Sequence, residues 1–203
     1  MKSAKALASF CADLSSDKPS PGGGTASAAA GAMAASLLVM VCGITLKSKK
    51  HERDWSELEL LKEKLASDRD ELVQLADEDA KAYDLVVEAA KNKRQDSAGP
   101  AAREYAASLL NAAEVPMKTA FVCLRVIETA VRVAKIGKKS ASSDVGVAIG
   151  LAEAGFKGAA MNVRINLSEM SRTKYADSLS ERLEEGSVKM EKAVKAALHA
   201  LND

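Results

Sequence analysis

The chain predicts an all-α fold, on three observations. Hydrophobic residues fill 47% of 203 positions but aromatics only 3%, so the apolar mass is mainly Ala, Leu and Val, without the β-branched and aromatic enrichment of a sheet. Apolar residues recur every three or four positions over long stretches, the spacing that lines one face of a helix. Gly, Pro and Ser gather between those stretches and break them. A chain of this length makes a single domain, 1–203, with a substantial core. The expected architecture is a compact helical bundle of about five to seven helices, several of them long.

The opening MKSAKALASFCADL carries lysines and a short apolar stretch that Asp13 interrupts, so no secretory signal is expected. The next segment, PSPGGGTASAAAGAMAASLLVMVCGITLKSKK, has no charge from Pro19 to Leu46. Its length meets the requirement for a membrane span, about 20 residues. However, Ala, Ser, Gly and Thr dominate its first half, and the other predicted helices are amphipathic and water-compatible. A helix buried in a bundle is therefore expected. The glycines do not fit GxxxxGK[ST], Ser27 occupies the last glycine position of GxGxxG, and no strand precedes them, so neither nucleotide cradle has its context. Gly22, Gly23 and Gly24 leave two readings: a helix N-terminus whose free N–H groups hold a carboxylate, phosphate or carbonyl, or a turn that lets helices cross closely. Lys47, Lys49, Lys50 and Arg53 close the segment, as a helix end complementing its dipole or as a receptor for an anionic tail.

From Leu58 the helical spacing selects Leu58, Leu61, Leu65, Asp68, Leu72, Leu75, Asp79, Ala82, Val86 and Ala89 as one stripe. Two carboxylates interrupt this apolar face, and a buried charge needs a partner or a ligand. Asp68 is read at the edge of the face, turned to solvent or to an arginine; Asp79 is either a site residue or structural. Lys91 to Pro100 reads as a loop ending in Gly-Pro. A helix beginning near Ala101 meets Pro116, which should kink or divide it, and Met117, Phe121, Leu124, Ile127 and Val131 continue the pattern.

After the glycine turn of IGKKSASSD, Ser142 or Ser143 is the expected N-cap and Asp144 a first-turn acid. The helix from Asp144 to about Met170 carries Gly146, Gly150, Gly155 and Gly158. Each glycine costs roughly 1 kcal/mol against alanine, so close approach to this backbone is expected. Asn162 and Asn166 lie one turn apart, placed to grip a polar group or to bridge helices. Asp144 lies about 27 Å from Asn162 along a straight helix. The two therefore cannot hold one reacting carbon within one subunit, but they can reach opposite ends of a long ligand or meet across a subunit boundary. The last segment, about Ala176 to Leu201, is amphipathic.

A net charge of +1, from 29 basic and 28 acidic residues, gives no overall pull toward nucleic acid or an anionic membrane. Cys11, Cys42 and Cys123 form no CxxC pair and read as reduced, structural thiols of a cytoplasmic protein. His51 and His199 lack metal-ligand spacing, and HERDW is not HExxH, so no metal and no nucleotide cofactor are expected.

With these motifs in order, the chain resembles the cyclodeaminase/cyclohydrolase family of folate enzymes, over roughly Ser16 to Ala176. The resemblance rests first on PSPGGGTASAAAGAMAASLLVMVCGITLKSKK, and then on DEDAKAYDLV (Asp77 to Val86), AAEVPMKTA (Ala112 to Ala120), SSDVGVA and NVRINL (Ser142 to Leu167). It implies an all-helical homodimer or higher homo-oligomer. It also implies a (poly)glutamylated tetrahydrofolate derivative as substrate, acted on as a methenyltetrahydrofolate cyclohydrolase, a formiminotetrahydrofolate cyclodeaminase, or both. On that resemblance Asp79 and Asp144 become the candidate proton-transfer groups, with Gly22, Gly23, Gly24, Asn162 and Asn166 contacting folate. Lys47, Lys49 and Lys50 would attract glutamyl carboxylates. Lys138 stands where an asparagine is expected after the glycine, His51 where an aromatic is expected, and LSEMSRTKYAD lacks an acid-rich turn. These departures bear on substrate choice rather than on fold. The competing readings are a folate-binding relative without turnover and a purely structural helical oligomer.

Overall fold

The computed structural model describes residues 2–93, 99–170 and 173–202. Among them are six α-helices and no strand: α1 (Lys2–Leu14), α2 (Gly23–Leu46), α3 (Trp55–Lys93), α4 (Pro100–Ile136), α5 (Ser142–Ser168) and α6 (Lys174–Asn202). Short 3-10 turns at Lys49–Asp54 and Lys139–Ala141 lead into α3 and α5.

α2 lies against α3, α5 and α4, while α4 packs on α3, α5 and α6. The uncharged 24-residue α2 is long and apolar enough to cross a membrane. Here one side of it packs into the bundle, with Ala28, Ala34, Ala35, Leu38, Val41 and Cys42 fully buried, while Met33 and Met40 on its other side are exposed. α3 turns the expected stripe inward, burying Leu58, Leu65, Leu72, Leu75, Ala82 and Ala89. Asp68 on that stripe is buried too, and it meets the arginine foreseen for it: Arg125 Nη2 lies 2.7 Å from Asp68 Oδ1 and 2.5 Å from Glu71 Oε2. That cluster ties α3 to α4. Burial pushes the Cys42 thiol up to about 11 and the Cys123 thiol up to about 12, so both stay protonated and inert.

Three local expectations change. Pro116 does not divide α4, which runs unbroken from Pro100 to Ile136; the carbonyl the proline leaves without a helical N–H finds a side-chain donor instead. The loop expected from Lys91 begins later, since α3 continues to Lys93, and α4 starts with Gly99 as N-cap and Pro100 in its first turn, where a missing N–H costs nothing. Residues 94–98 lie outside the described residues. The N-cap of α5 is Ala141 and not a serine, because the preceding 3-10 turn already aligns the chain and makes Ser142 the first helical residue.

The crossing of α2 with α5 explains part of the glycine content. A Cβ on Gly155 would fall 2.8 Å from the Ser27 carbonyl oxygen and 3.0 Å from Cys123 Sγ, closer than packed atoms tolerate. Gly150 has nothing within 4 Å, so close packing accounts for Gly155 and not for every glycine of α5. Gly155→Ala should therefore destabilise the protein by about 1–3 kcal/mol through overpacking. Gly150→Ala should stabilise it by up to about 1 kcal/mol through helix propensity. The two urea midpoints, measured side by side, should move in opposite directions.

Candidate active site

The first N–H groups of an α-helix have no partner within the helix, and Gly22, the N-cap of α2, offers no side chain to receive them. Another helix supplies the acceptor. Asp79, from the middle of α3, lies over the first turn of α2, where Thr25 Oγ1 donates to its Oδ2 at 3.1 Å and the Thr25 backbone N–H donates as well. A Cβ on Gly24 would fall 2.5 Å from Asp79 Cγ, so the carboxylate occupies the space that glycine leaves open. Burial raises the Asp79 pKa above the usual carboxylate value, and the two Thr25 hydrogen bonds pull against that rise. An acid held this way sits nearer the working range of a general base than a solvated aspartate does.

Asp79 opens onto a cavity of about 320 Å³. One wall is the glycine turn, Gly22 to Gly24, with Pro19 and Ser20 at its rim. The adjoining wall comes from α5, where Asn162 Nδ2 lies 3.5 Å from where a Cβ on Gly23 would fall. Asn162 Nδ2 donates to the Gly158 carbonyl at 2.9 Å, and Asn166 Nδ2 donates to the Ala112 carbonyl at 2.5 Å. Tyr83 and Val86 from α3 and Tyr105 and Leu109 from α4 add flat, apolar surface, and Glu169 contributes a second carboxylate. Tyr105, Leu109 and Glu169 are shared with an adjoining cavity of about 290 Å³ that extends to Lys93 and Thr173. Lys93 Nζ lies 4.3 Å from the centre of the Tyr105 ring. Together these walls form an elongated cleft with an acid at one end, suited to a long, partly flat polar ligand.

The structure therefore gathers six of the sequence candidates, Gly22, Gly23, Gly24, Asp79, Asn162 and Asn166, around one cavity. The other four lie elsewhere. Lys47 is the C-cap of α2, and Lys49 and Lys50 belong to the following 3-10 turn, about 36 Å along a straight helix from the glycines. Asp144, in the first turn of α5, is at that same end, since the Lys138 N–H donates to Thr45 Oγ1 at 3.0 Å and holds the α4–α5 turn against the last turn of α2. Sequence reasoning passed over Thr25, Tyr83, Tyr105 and Glu169. Tyr83 was detectable, because it follows Asp79 by four residues and so shares its helical face. Tyr105 and Glu169 gave no comparable signal. No group of three or more His, Cys, Asp or Glu among the described residues is placed to hold a metal ion.

The family model for formiminotransferase-cyclodeaminase matches residues 6–185. A methenyltetrahydrofolate cyclohydrolase of Methylorubrum extorquens is 36% identical over 181 residues, covering 88% of this chain and 86% of its own. The formimidoyltransferase-cyclodeaminase of Mus musculus is 29% identical over 197 residues, and there this chain spans only 36% of the relative's length. In three dimensions the chain is similar to the crystal structure of formiminotetrahydrofolate cyclodeaminase from Thermotoga maritima, with a TM-score of 0.86 and 32% identity over 95% of this chain and 93% of the other. A match over so much of the chain, in sequence and in helix arrangement alike, places this protein in the formiminotransferase-cyclodeaminase family.

Proposed function

We propose that the chain is a folate one-carbon enzyme acting at the bridge between N5 and N10 of tetrahydrofolate, as a methenyltetrahydrofolate cyclohydrolase, a formiminotetrahydrofolate cyclodeaminase, or both. The observation that carries this reading is the half-buried Asp79, its pKa raised by burial, at the mouth of a cavity it shares with Asn162 and Asn166. In cyclohydrolysis, water adds to the cationic methenyl carbon while Asp79 takes its proton. The acid then returns that proton to N5, the C–N5 bond breaks as the hydroxyl loses its own proton to solvent and becomes the formyl carbonyl, and the 10-formyl compound leaves. In cyclodeamination, N10 attacks the formimino carbon, gives its proton to the same carboxylate, and ammonia departs after receiving one. Both routes develop or discharge positive charge beside a carboxylate, which stabilises it.

The homodimer belongs to the same proposal. α2 has no charged residue, yet Met33 and Met40 are exposed at 48% and 40%, and on α5 Val147, Met161 and Ile165 are exposed as well. An apolar surface of that extent fits a second copy of this chain. A two-fold axis across the middle of α2 would bring the lysine end of one subunit, with Asp144, to the glycine end of the other. The ten candidate residues would then form one site, with the partner's lysine end receiving the glutamyl carboxylates. The reading also takes the enzyme to be cytoplasmic, on three widely spaced cysteines with no CxxC pair. The net charge of +1 supports a small anionic substrate over nucleic acid or membrane as partner.

Mixing the protein with methenyltetrahydrofolate should bleach its near-ultraviolet band, or mixing with formiminotetrahydrofolate should create that band; silence in both assays would overturn the assignment. Asp79→Asn should slow turnover at least about a hundredfold, the usual scale for a lost proton-transfer group. Because the base must be ionised and burial raises its pKa, the wild-type rate should fall as pH drops through a value above the ordinary carboxylate range. That limb should be absent in the residual activity of Asp79→Asn. Lys49→Ala with Lys50→Ala should raise KM for polyglutamylated folate more than for the monoglutamate, and an equal rise would contradict tail recognition. Met33→Glu with Met40→Glu should give monomers in sedimentation with turnover lost; an active monomer would sink the shared site.

A further inference from the structure

The proline inside α4 has a consequence at the cavity wall. Pro116 has no N–H, so the Ala112 carbonyl four residues earlier loses its helical donor. Ala112 is buried and lines the cavity, and a buried carbonyl left unmet is costly. Its donor is Asn166 Nδ2, 2.5 Å away and 54 positions later in the chain. A carboxamide carries its donor on one arm and its acceptor on the other, so engaging Nδ2 with Ala112 also decides the orientation of Oδ1. Asn162, one turn earlier, is oriented in the same way by the Gly158 carbonyl at 2.9 Å. Among the described residues neither Oδ1 receives a hydrogen bond, and neither is sealed from solvent. The α5 wall of the cavity thus presents two side-chain acceptors to an occupant, together with the second Nδ2–H that each amide keeps.

We propose that Pro116 and Asn166 form a positioning pair. Pro116 frees a carbonyl that the Asn166 amide satisfies, and the amide so held offers Oδ1, one helical turn from that of Asn162, to the N–H-bearing edge of a bound ring. The ligand chemistry this wall selects is a heterocycle edge that pairs N–H donors with an acceptor, such as an amino-lactam edge, because each amide offers both Oδ1 and its second Nδ2–H. Asn166 is a binding residue in this scheme, and Pro116 acts only through it. The identity of the ring rests on the folate reading above, whereas the pairing of Pro116 with Asn166 does not.

A double-mutant cycle tests both parts, with melting temperature and steady-state kinetics on methenyl- and formiminotetrahydrofolate as readouts. Asn166→Ala should lower the melting temperature by about 3–8 °C, the scale of one orphaned buried carbonyl in a domain of this size. It should also raise KM about five- to tenfold, the scale of one lost hydrogen bond, with kcat little changed. Pro116→Ala restores an N–H for Ala112, so the double variant Pro116→Ala/Asn166→Ala should recover most of the lost melting temperature while keeping the raised KM. Pro116→Ala alone should melt close to wild type yet raise KM about two- to threefold, since the amide is then free to turn. A double variant as unstable as Asn166→Ala would overturn the pairing. A double variant with wild-type KM would overturn the acceptor role and leave Asn166 structural. Wild-type protein that turns over neither folate would refute the folate reading, and the melting temperatures would still judge the pair.

Discussion

The carboxylate of Asp79 against the first turn of α2 is the contact on which the rest of the site depends. It accepts hydrogen bonds from the hydroxyl and backbone N–H of Thr25 in the first turn of α2, brings α3 onto the start of that helix, and sits in the space left by the absent side chain of Gly24. Its two roles share one cause. Removing the carboxylate from water to cap a helix raises its pKa, while the Thr25 hydrogen bonds and the positive helix end keep the ionised form accessible. A solvated aspartate would be a weaker base at neutral pH, and a fully sealed one could not meet a substrate.

Small side chains do the corresponding work along the helix axes. Gly31 and Gly155 face each other around Cys123 Sγ, so α2 and α5 cross with little between their backbones. That close crossing carries the Asn162–Asn166 face of α5 to within reach of the glycine turn, and a wider crossing would leave the cavity open on that side. The same antiparallel pairing of α2 with α5 sends Asp144 and the lysines to the far end of the molecule. One subunit therefore carries two chemically distinct ends joined by an uncharged helix, which is why a second copy is attractive as the route to a complete substrate cleft.

Much of the fold was legible from residue order. The three- and four-residue spacing identified the buried face of α3, and the Gly-Pro at 99–100 marked the start of α4, because such signals arise within a few residues of chain. Local rules misled at Pro116 and at the start of α5. Propensity counts the hydrogen bond a proline removes, yet not a donor arriving from a different helix, and a serine is a good N-cap only when the preceding residues do not already form a turn. Part of the cavity lining was visible as well: Asp79 interrupts an apolar stripe, where burial requires a partner or a ligand, Asn162 and Asn166 lie one turn apart on one face, and the glycines precede a long uncharged run.

Composition and periodicity established that the chain would be a helical bundle with a glycine-opened, uncharged helix at its centre and acids on otherwise apolar faces. Those properties depend on neighbours in sequence. Which polar group met which was decided only by the helix crossings: Thr25 with Asp79 across 54 positions, and Asn166 with the Ala112 carbonyl across another 54. A periodic pattern specifies the direction a side chain faces on its own helix. It carries nothing about the angle and depth at which a second helix lies against it, and those two quantities made a cavity from residues of α2, α3, α4 and α5 while leaving Asp144 and Lys49 at the opposite end.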